Sequence, residues 1–276
     1  MSNITAADVN KLRKQTGAGM MDCKKALVEA NGDFEAAIDF LRKKGQKVAA
    51  KRGDRDANEG LVLAKTIDGK RGVLIVLNCE TDFVAKNEAF GDFANSILDI
   101  AIEKNPTSLD ELKSMNYNGG DSTVADRIIE EVGKIGEKID LSAYEVVEAG
   151  KVITYNHPGN RLASMVGFSV DDNTPDAGRD VAMQIAAMNP LSIDKEDISE
   201  DVINRELEIG KEQARAEGKP EEMLEKIATG KLNKFFKENT LMNQQFIKDN
   251  KQTVKQYLEG INKDLKVTSF KRIALA

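Results

Sequence analysis

The chain has 276 residues, of which 41% are hydrophobic and 31% charged, and a net charge of −6. That length suggests two or three modules, and the balance suits long exposed helices around true cores. No apolar run approaches the roughly 18 residues of a membrane span, and Cys23 and Cys79 are too few for a disulfide framework. The N-terminus has neither the basic start nor the apolar stretch of a signal peptide, so a cytoplasmic protein is expected. Charge is uneven. Residues 1–58 hold 12 Lys and Arg against 8 Asp and Glu, a local excess of +4, which leaves −10 for the remainder. Such a mild excess lacks the dense basic patch with interleaved aromatics that nucleic-acid binding needs.

Residues 5–45 read as three short helices. Thr5, with Asp8 three positions on, has the form of a capping box, and Val9 and Leu12 supply the apolar stripe of the first helix. Gly17-Ala18-Gly19 breaks it. The second helix is expected over 20–30, with Ala26 and Leu27 inward, ending at Asn31-Gly32. Asp33 caps the third, whose inward face is Phe34, Ala37, Ile38 and Leu41, and Gly45 stops it. Residues 47–58 read as a linker with some helical character.

From Gly60 the pattern changes to period two. Strands are expected over 61–67 and 72–77, joined by the turn signal Asp68-Gly69. Phe90, Phe93, Ile97, Ile100 and Ala101 then recur at helical spacing over 87–103. Between the second strand and this helix stand Thr81-Asp82-Phe83-Val84. Two readings are open for them. In one, Thr81 or Asp82 caps the helix and Phe83 tucks beneath it as core. In the other, Phe83 leaves its own core and enters that of another protein.

The same design recurs 90 residues later. Gly150, Val152 and Ile153 match Gly60, Val62 and Leu63, while Gly159, Arg161 and Val166 match Gly69, Arg71 and Val76. A helix through Val181, Ile185 and Met188 follows. At the place of Thr81-Asp82-Phe83 this copy has Asp171-Asp172-Asn173, which keeps the acid and lacks the aromatic. A residue required by the fold tends to appear in both copies, so the second reading of Phe83 gains ground. Helices are expected over 109–115 and 124–138. An antiparallel helical hairpin runs out over 199–217 and back over 221–239, turning at Gly218-Lys219-Pro220. Its narrow stripe sets Val202, Ile203 and Ile209 against Leu224, Ile227, Leu232 and Phe235. The stretch 266–273 reads as a returning edge strand.

Sites of chemistry are scarce. Gly17-Ala18-Gly19-Met20-Met21-Asp22 fails as a dinucleotide fingerprint, because Asp22 replaces the third glycine and no strand precedes it. Six Gly-Lys pairs occur, none followed by Ser or Thr, so there is no phosphate loop. The only histidine, His157, sits in a turn beside Pro158-Gly159, and two cysteines with one histidine make no zinc set. Exposed helices and a strand-end aromatic point to a protein that acts by binding another protein.

The segment Leu12-Arg13-Lys14-Gln15-Thr16-Gly17-Ala18-Gly19-Met20-Met21-Asp22-Cys23 resembles the N-terminal signature of the bacterial elongation factor Ts family. Asn78-Cys79-Glu80-Thr81-Asp82-Phe83-Val84-Ala85-Lys86 is similar to its second signature. The order and spacing match, and the resemblance covers essentially the whole chain. It implies an α+β protein in three parts. Residues 1–55 form a three-helix module similar to a ubiquitin-associated domain. Residues 56–140 and 141–276 form the two subdomains of a duplicated core of antiparallel hairpins plus helices, with a helical hairpin at about 198–240 projecting from the second.

The resemblance further implies a guanine nucleotide exchange factor, not an enzyme, that binds the GDP form of elongation factor Tu and displaces its Mg²⁺. Thr81, Asp82, Phe83 and Val84 would dislodge the metal. Leu12, Arg13, Thr16, Gly17, Met20 and Met21 would contact the partner from the N-terminal module. No cofactor, direct nucleic-acid contact or membrane contact is implied. A homodimer or two-plus-two complex is. Some relatives carry a further helical module after a segment like Ser269-Phe270-Lys271-Arg272; with the sequence ending at Ala276, contacts made by such a module are not expected.

Overall fold

The computed structural model describes residues 4–170 and 175–276. Three helices open the chain: α1 (Ala6–Thr16), α2 (Met20–Glu29) and α3 (Phe34–Arg52). Thr5 and Asp8 close the expected capping box, and Gly17 ends α1 at φ 67°. Val9, Leu12, Cys23, Ala26, Leu27 and Ala37 form the bundle's core.

The expected stop at Gly45 is not there, because α3 continues for 19 residues to Arg52. The reason is tertiary. α3 crosses α7 (Val124–Ile135) at a glycine pair. A Cβ on Gly45 would lie 2.9 Å from the Ile129 carbonyl oxygen, and one on Gly133 would lie 2.8 Å from the Gly45 Cα. Gly45 therefore accepts the helix-interior penalty of about 1 kcal/mol to permit close approach. Much of the expected linker is the end of α3, so the module is carried on a continuous helix that packs on the core.

Strands β1 (Glu59–Ile67) and β2 (Arg71–Cys79) form the expected hairpin. Asp68 and Gly69 both adopt positive φ in its turn. A third strand, β3 (Ile139–Glu148), pairs antiparallel on β2 and was not anticipated. A boundary at 140/141 passes through it, so by pairing the first sheet extends to Glu148. Period two does not hold along β2, which is buried along nearly its whole length, as its continuous apolar run from Val73 to Leu77 predicts. Leu61, Leu63, Val73, Ile75 and Leu77 face a core closed by Phe90, Phe93, Ile97 and Ile100 of α5 (Glu88–Lys104), by α6 (Leu109–Ser114) and by α7. Val62, Ala64, Leu74 and Val76 face the other way, onto the second sheet. A sheet covered on both faces replaces alternation with a continuous apolar run.

The second sheet repeats the plan. β4 (Lys151–Asn156) and β5 (Leu162–Phe168) form a hairpin, and β8 (Val267–Ala274) joins β5 as the expected edge strand. Val152, Ala163 and Met165 meet the first sheet, while Val166 and Phe168 meet α8 (Pro175–Met188). The result is four layers: helix, sheet, sheet, helix. Gly60 and Gly150 open the two hairpins alike. A Cβ on Gly60 would lie 2.2 Å from the Leu77 carbonyl oxygen, and one on Gly150 would lie 2.5 Å from that of Ser169.

Between α8 and β8 stand α9 (Glu200–Ala216) and α10 (Glu221–Asn239), the expected helical hairpin, then β6 (Gln245–Phe246), β7 (Asp249–Thr253) and α11 (Val254–Ile261), which were not foreseen. The seam of α9 and α10 differs from the expected stripe. Gly210, Ala214, Leu224 and Ala228 are buried in it, whereas Ile209 is exposed. A Cβ on Gly210 would come within 3.1 Å of the Ala228 Cα, so small residues draw the helices together. Gln184 and Gln244, both buried, hydrogen-bond across the hairpin's base at 3.1 Å.

Candidate protein-binding site

At the end of β2 the chain passes through Glu80 and Thr81 into a single helical turn, α4 (Asp82–Ala85). Thr81 is its N-cap, with extended backbone and a hydroxyl that accepts the Val84 N–H at 3.5 Å. Thr81 does cap, but it caps this extra turn and not the helix expected over 87–103, whose N-cap is Asn87. The core half of the first reading is overturned: Phe83 is 84% exposed. Val84 and Ala85 take the inward positions and pack on the first core. In a turn this short, turning two neighbours inward drives Phe83 outward.

The segment is held at several points. The Cys79 thiol, itself buried, donates to the Thr81 carbonyl at 3.2 Å. Burial, and then the nearby Glu137 charge, push that thiol up to about 11. Glu137 accepts both the Thr81 N–H (3.0 Å) and its hydroxyl (2.7 Å). Glu80 accepts two bonds from the Arg52 guanidinium, at 3.0 and 2.8 Å, and one from the Lys138 N–H at 2.6 Å. The Lys138 N–H, then Arg52, hold the Glu80 carboxyl below its ordinary value. Because Arg52 ends α3, this contact links the N-terminal module's long helix to the residue before Thr81. Asp82 is paired with Lys86 at 2.6 Å, and that bond lowers its carboxyl. The turn thus presents one bare aromatic beside a surface ion pair.

The remaining candidates divide. Met20 and Met21 are 52% and 74% exposed at the start of α2, and Arg13 is exposed on α1. Gly17 is exposed as the left-handed cap of α1, donating to the Arg13 carbonyl at 2.8 Å. Thr16 is half-buried and donates to the Leu12 carbonyl at 2.8 Å. Leu12 is corrected: it is fully buried, at the centre of the bundle, and offers no side chain to a partner. A cavity of about 210 Å³ lies beside the α3–α7 crossing, bordered by Thr16, Asp22, Lys44, Arg127, Glu130 and Lys134. Its charges are already paired, Lys44 with Asp22 and Arg127 with Glu130 within the lining, and Lys134 with Glu131 just outside it. The second copy's Asp171-Asp172-Asn173 lies outside the described residues.

His157 lies in the β4–β5 turn with its Nδ1 2.9 Å from the Tyr155 hydroxyl. Among the described residues no cluster of His, Cys, Asp and Glu is arranged to hold a metal, and no helix is long and apolar enough to cross a membrane. Arg52, Glu80, Glu137 and Lys138, which shape the segment, were not singled out in sequence. Three of them lie far from it along the chain.

Comparison with known proteins agrees with this architecture. The family described as "Elongation factor TS" matches residues 80–276, starting at the residue before the Thr81 cap. Elongation factor Ts of Christiangramia forsetii is 52% identical, with all of both chains covered. That of Cytophaga hutchinsonii is 51% identical, again over all of both. That of Amoebophilus asiaticus is 55% identical over 98% of each chain. The chain therefore belongs to the elongation factor Ts family of translation elongation factors.

Proposed function

We propose that the chain is a guanine nucleotide exchange factor that binds elongation factor Tu in its GDP form, weakens its Mg²⁺ site and releases GDP so that GTP can bind. The observation that carries this reading is Phe83, 84% exposed on a turn whose every other hydrophobic side chain packs inward. An aromatic left in water forgoes about 1.5–3 kcal/mol of burial. A fixed turn presenting it suits insertion into a partner.

Magnitudes define its share of the work. A nucleotide held at nanomolar affinity is held by about 12 kcal/mol. One buried Phe cannot supply that, so Phe83 directs the energy of a broader interface. Exchange requires partner binding and nucleotide binding to oppose each other, and the coupling is reciprocal. Mg²⁺ demands near-ideal octahedral oxygen geometry, so a small displacement of its surroundings weakens it. Phe83 wedges between elements of the partner, and Asp82 perturbs groups around metal and phosphate. Met20, Met21 and Arg13 on the N-terminal module supply a second contact area. This reading gives the chain no covalent chemistry of its own.

The test is release of fluorescent GDP from elongation factor Tu. With Phe83→Ala, complex formation persists and the maximal stimulated rate falls at least about tenfold. A variant that binds and still exchanges at the wild-type rate sinks the wedge. A chain that binds elongation factor Tu without altering GDP release is an adaptor instead.

A further inference from the structure

We propose that Glu137 is the positioning residue for Phe83, acting as the missing half of a capping box closed across the fold. The inference rests on the exchange reading above and deepens it.

The comparison lies within the molecule. Among the described residues, four threonines cap α-helices through their side chains: Thr5, Thr81, Thr123 and Thr253. For three of them the residue three positions on reaches back to the cap. Asp8 accepts the Thr5 N–H and hydroxyl at 2.9 and 2.7 Å. Asp126 does the same for Thr123 at 3.0 and 2.8 Å. Gln256 accepts the Thr253 N–H at 2.9 Å. For Thr81 that position is Val84, which has no acceptor and is committed to the core. Glu137 takes its place from 56 residues away, at 3.0 and 2.7 Å. The two contacts satisfy the same two donors that Asp8 and Asp126 satisfy locally, although Glu137 takes one on each carboxylate oxygen where the aspartates take both on one.

The substitution follows from conflicting demands on one turn. Four residues form too short a helix to hold itself, because nucleation costs more than one turn returns. Val84 must face inward, so position 84 cannot also carry the reciprocal acid. A carboxylate on a rigid neighbour solves both. Glu137 follows Gly136, the left-handed cap of α7, and precedes β3, so both flanking elements fix its backbone. By accepting the hydroxyl proton it leaves the Thr81 oxygen lone pairs for Val84 N–H, which sets the direction of the turn and hence of Phe83. Glu80, gripped by Arg52 and Lys138, fixes the residue before. The aromatic's direction is thus set by side chains it never touches.

The experiment uses the full chain in two measurements. The first is amide hydrogen exchange over residues 80–86 of the free protein. Glu137→Met keeps the side chain's length and apolar stem and removes both acceptors, so neither the Thr81 N–H nor its hydroxyl keeps this partner. Exchange at Thr81 and Val84 should quicken about tenfold, equivalent to about 1.4 kcal/mol, while the strand β2 amides stay protected. Unchanged exchange at Thr81 and Val84 overturns the proposal. So does general loss of protection in β2, which would make Glu137 a plain structural residue; Thr81→Val then tests the clamp from the other side.

The second measurement is stimulated GDP release, separated into maximal rate and half-saturating concentration. Glu137→Met should lower the maximal rate and leave the half-saturating concentration near wild type. The double variant with Phe83→Ala should be no slower than Phe83→Ala alone, since a mispositioned ring and an absent ring cost the same step. Additive losses, or a loss confined to affinity, overturn the positioning role. A Phe83→Ala variant with wild-type release overturns the exchange reading itself, and the hydrogen-exchange result still decides the clamp.

Discussion

Two phenylalanines mark the ends of equivalent strands and meet opposite fates. Phe168 is the last residue of β5 and is 2% exposed, packed among Val166, Val181 and Ile185 under α8. Phe83 stands four residues beyond the end of β2 and is 84% exposed. The hairpins around them are built alike, with an opening glycine pressed against a carbonyl and a third strand added on the same side. The difference arises just beyond the strand end. After β2 the turn is closed by Val84 and Ala85 below and by Glu137 beside it, so the core is complete without Phe83. Phe168 fills space against Gly178 of α8. A duplicated scaffold thus leaves one strand end free to carry an outward aromatic.

The largest effect that tests this contrast is Phe168→Ala. It should cost about 3–5 kcal/mol of stability, read as a shift in the urea midpoint, because it empties a packed site. A loss below about 1 kcal/mol would mean that the second core collapses around the gap. The shared scaffold is tested next by Gly60→Ala, expected to cost about 2–3 kcal/mol. It forces a side chain into both a positive φ of 141° and a backbone carbonyl. Gly150→Ala meets only the carbonyl and should cost less. Equal or reversed costs would show that the two hairpins open differently. The smallest effect is Phe83→Ala, whose midpoint should stay within about 0.5 kcal/mol of wild type. A larger shift would make Phe83 a structural residue after all and dissolve the contrast.

Much of this was legible locally. Thr5 with Asp8, Gly17, Asp33 and the Asp68-Gly69 turn sit where expected, since capping and turn chemistry depend on a few adjacent residues. The α9–α10 hairpin and the edge strand β8 followed from periodicity. β3 was missed although Ile139, Leu141 and Val147 turn inward along it. Its middle, Ser142 to Val146, mixes polar and apolar residues and is mostly half-buried, which blurs the alternation.

At the candidate site the sequence singled out the tetrapeptide and the cap, and the recurrence of the hairpin hinted that Phe83 was surplus to the fold. Leu12 shows the limit. It lies within a signature beside exposed Arg13, yet its side chain is the bundle's centre. A motif marks a neighbourhood and does not say which way each side chain points.

By itself the sequence determined most of the helices, both hairpins, several caps and turns, and the family to which they belong, because these depend on short-range chemistry. Only the tertiary structure decided that Gly45 is a crossing point and not a stop, since a glycine at a helix end and one pressed against another backbone look the same in one dimension. It alone decided that Phe83 faces water, because exposure depends on whether neighbours have already filled the core. It also brought Glu137 and Arg52 to the strand end, an encounter that no local pattern encodes.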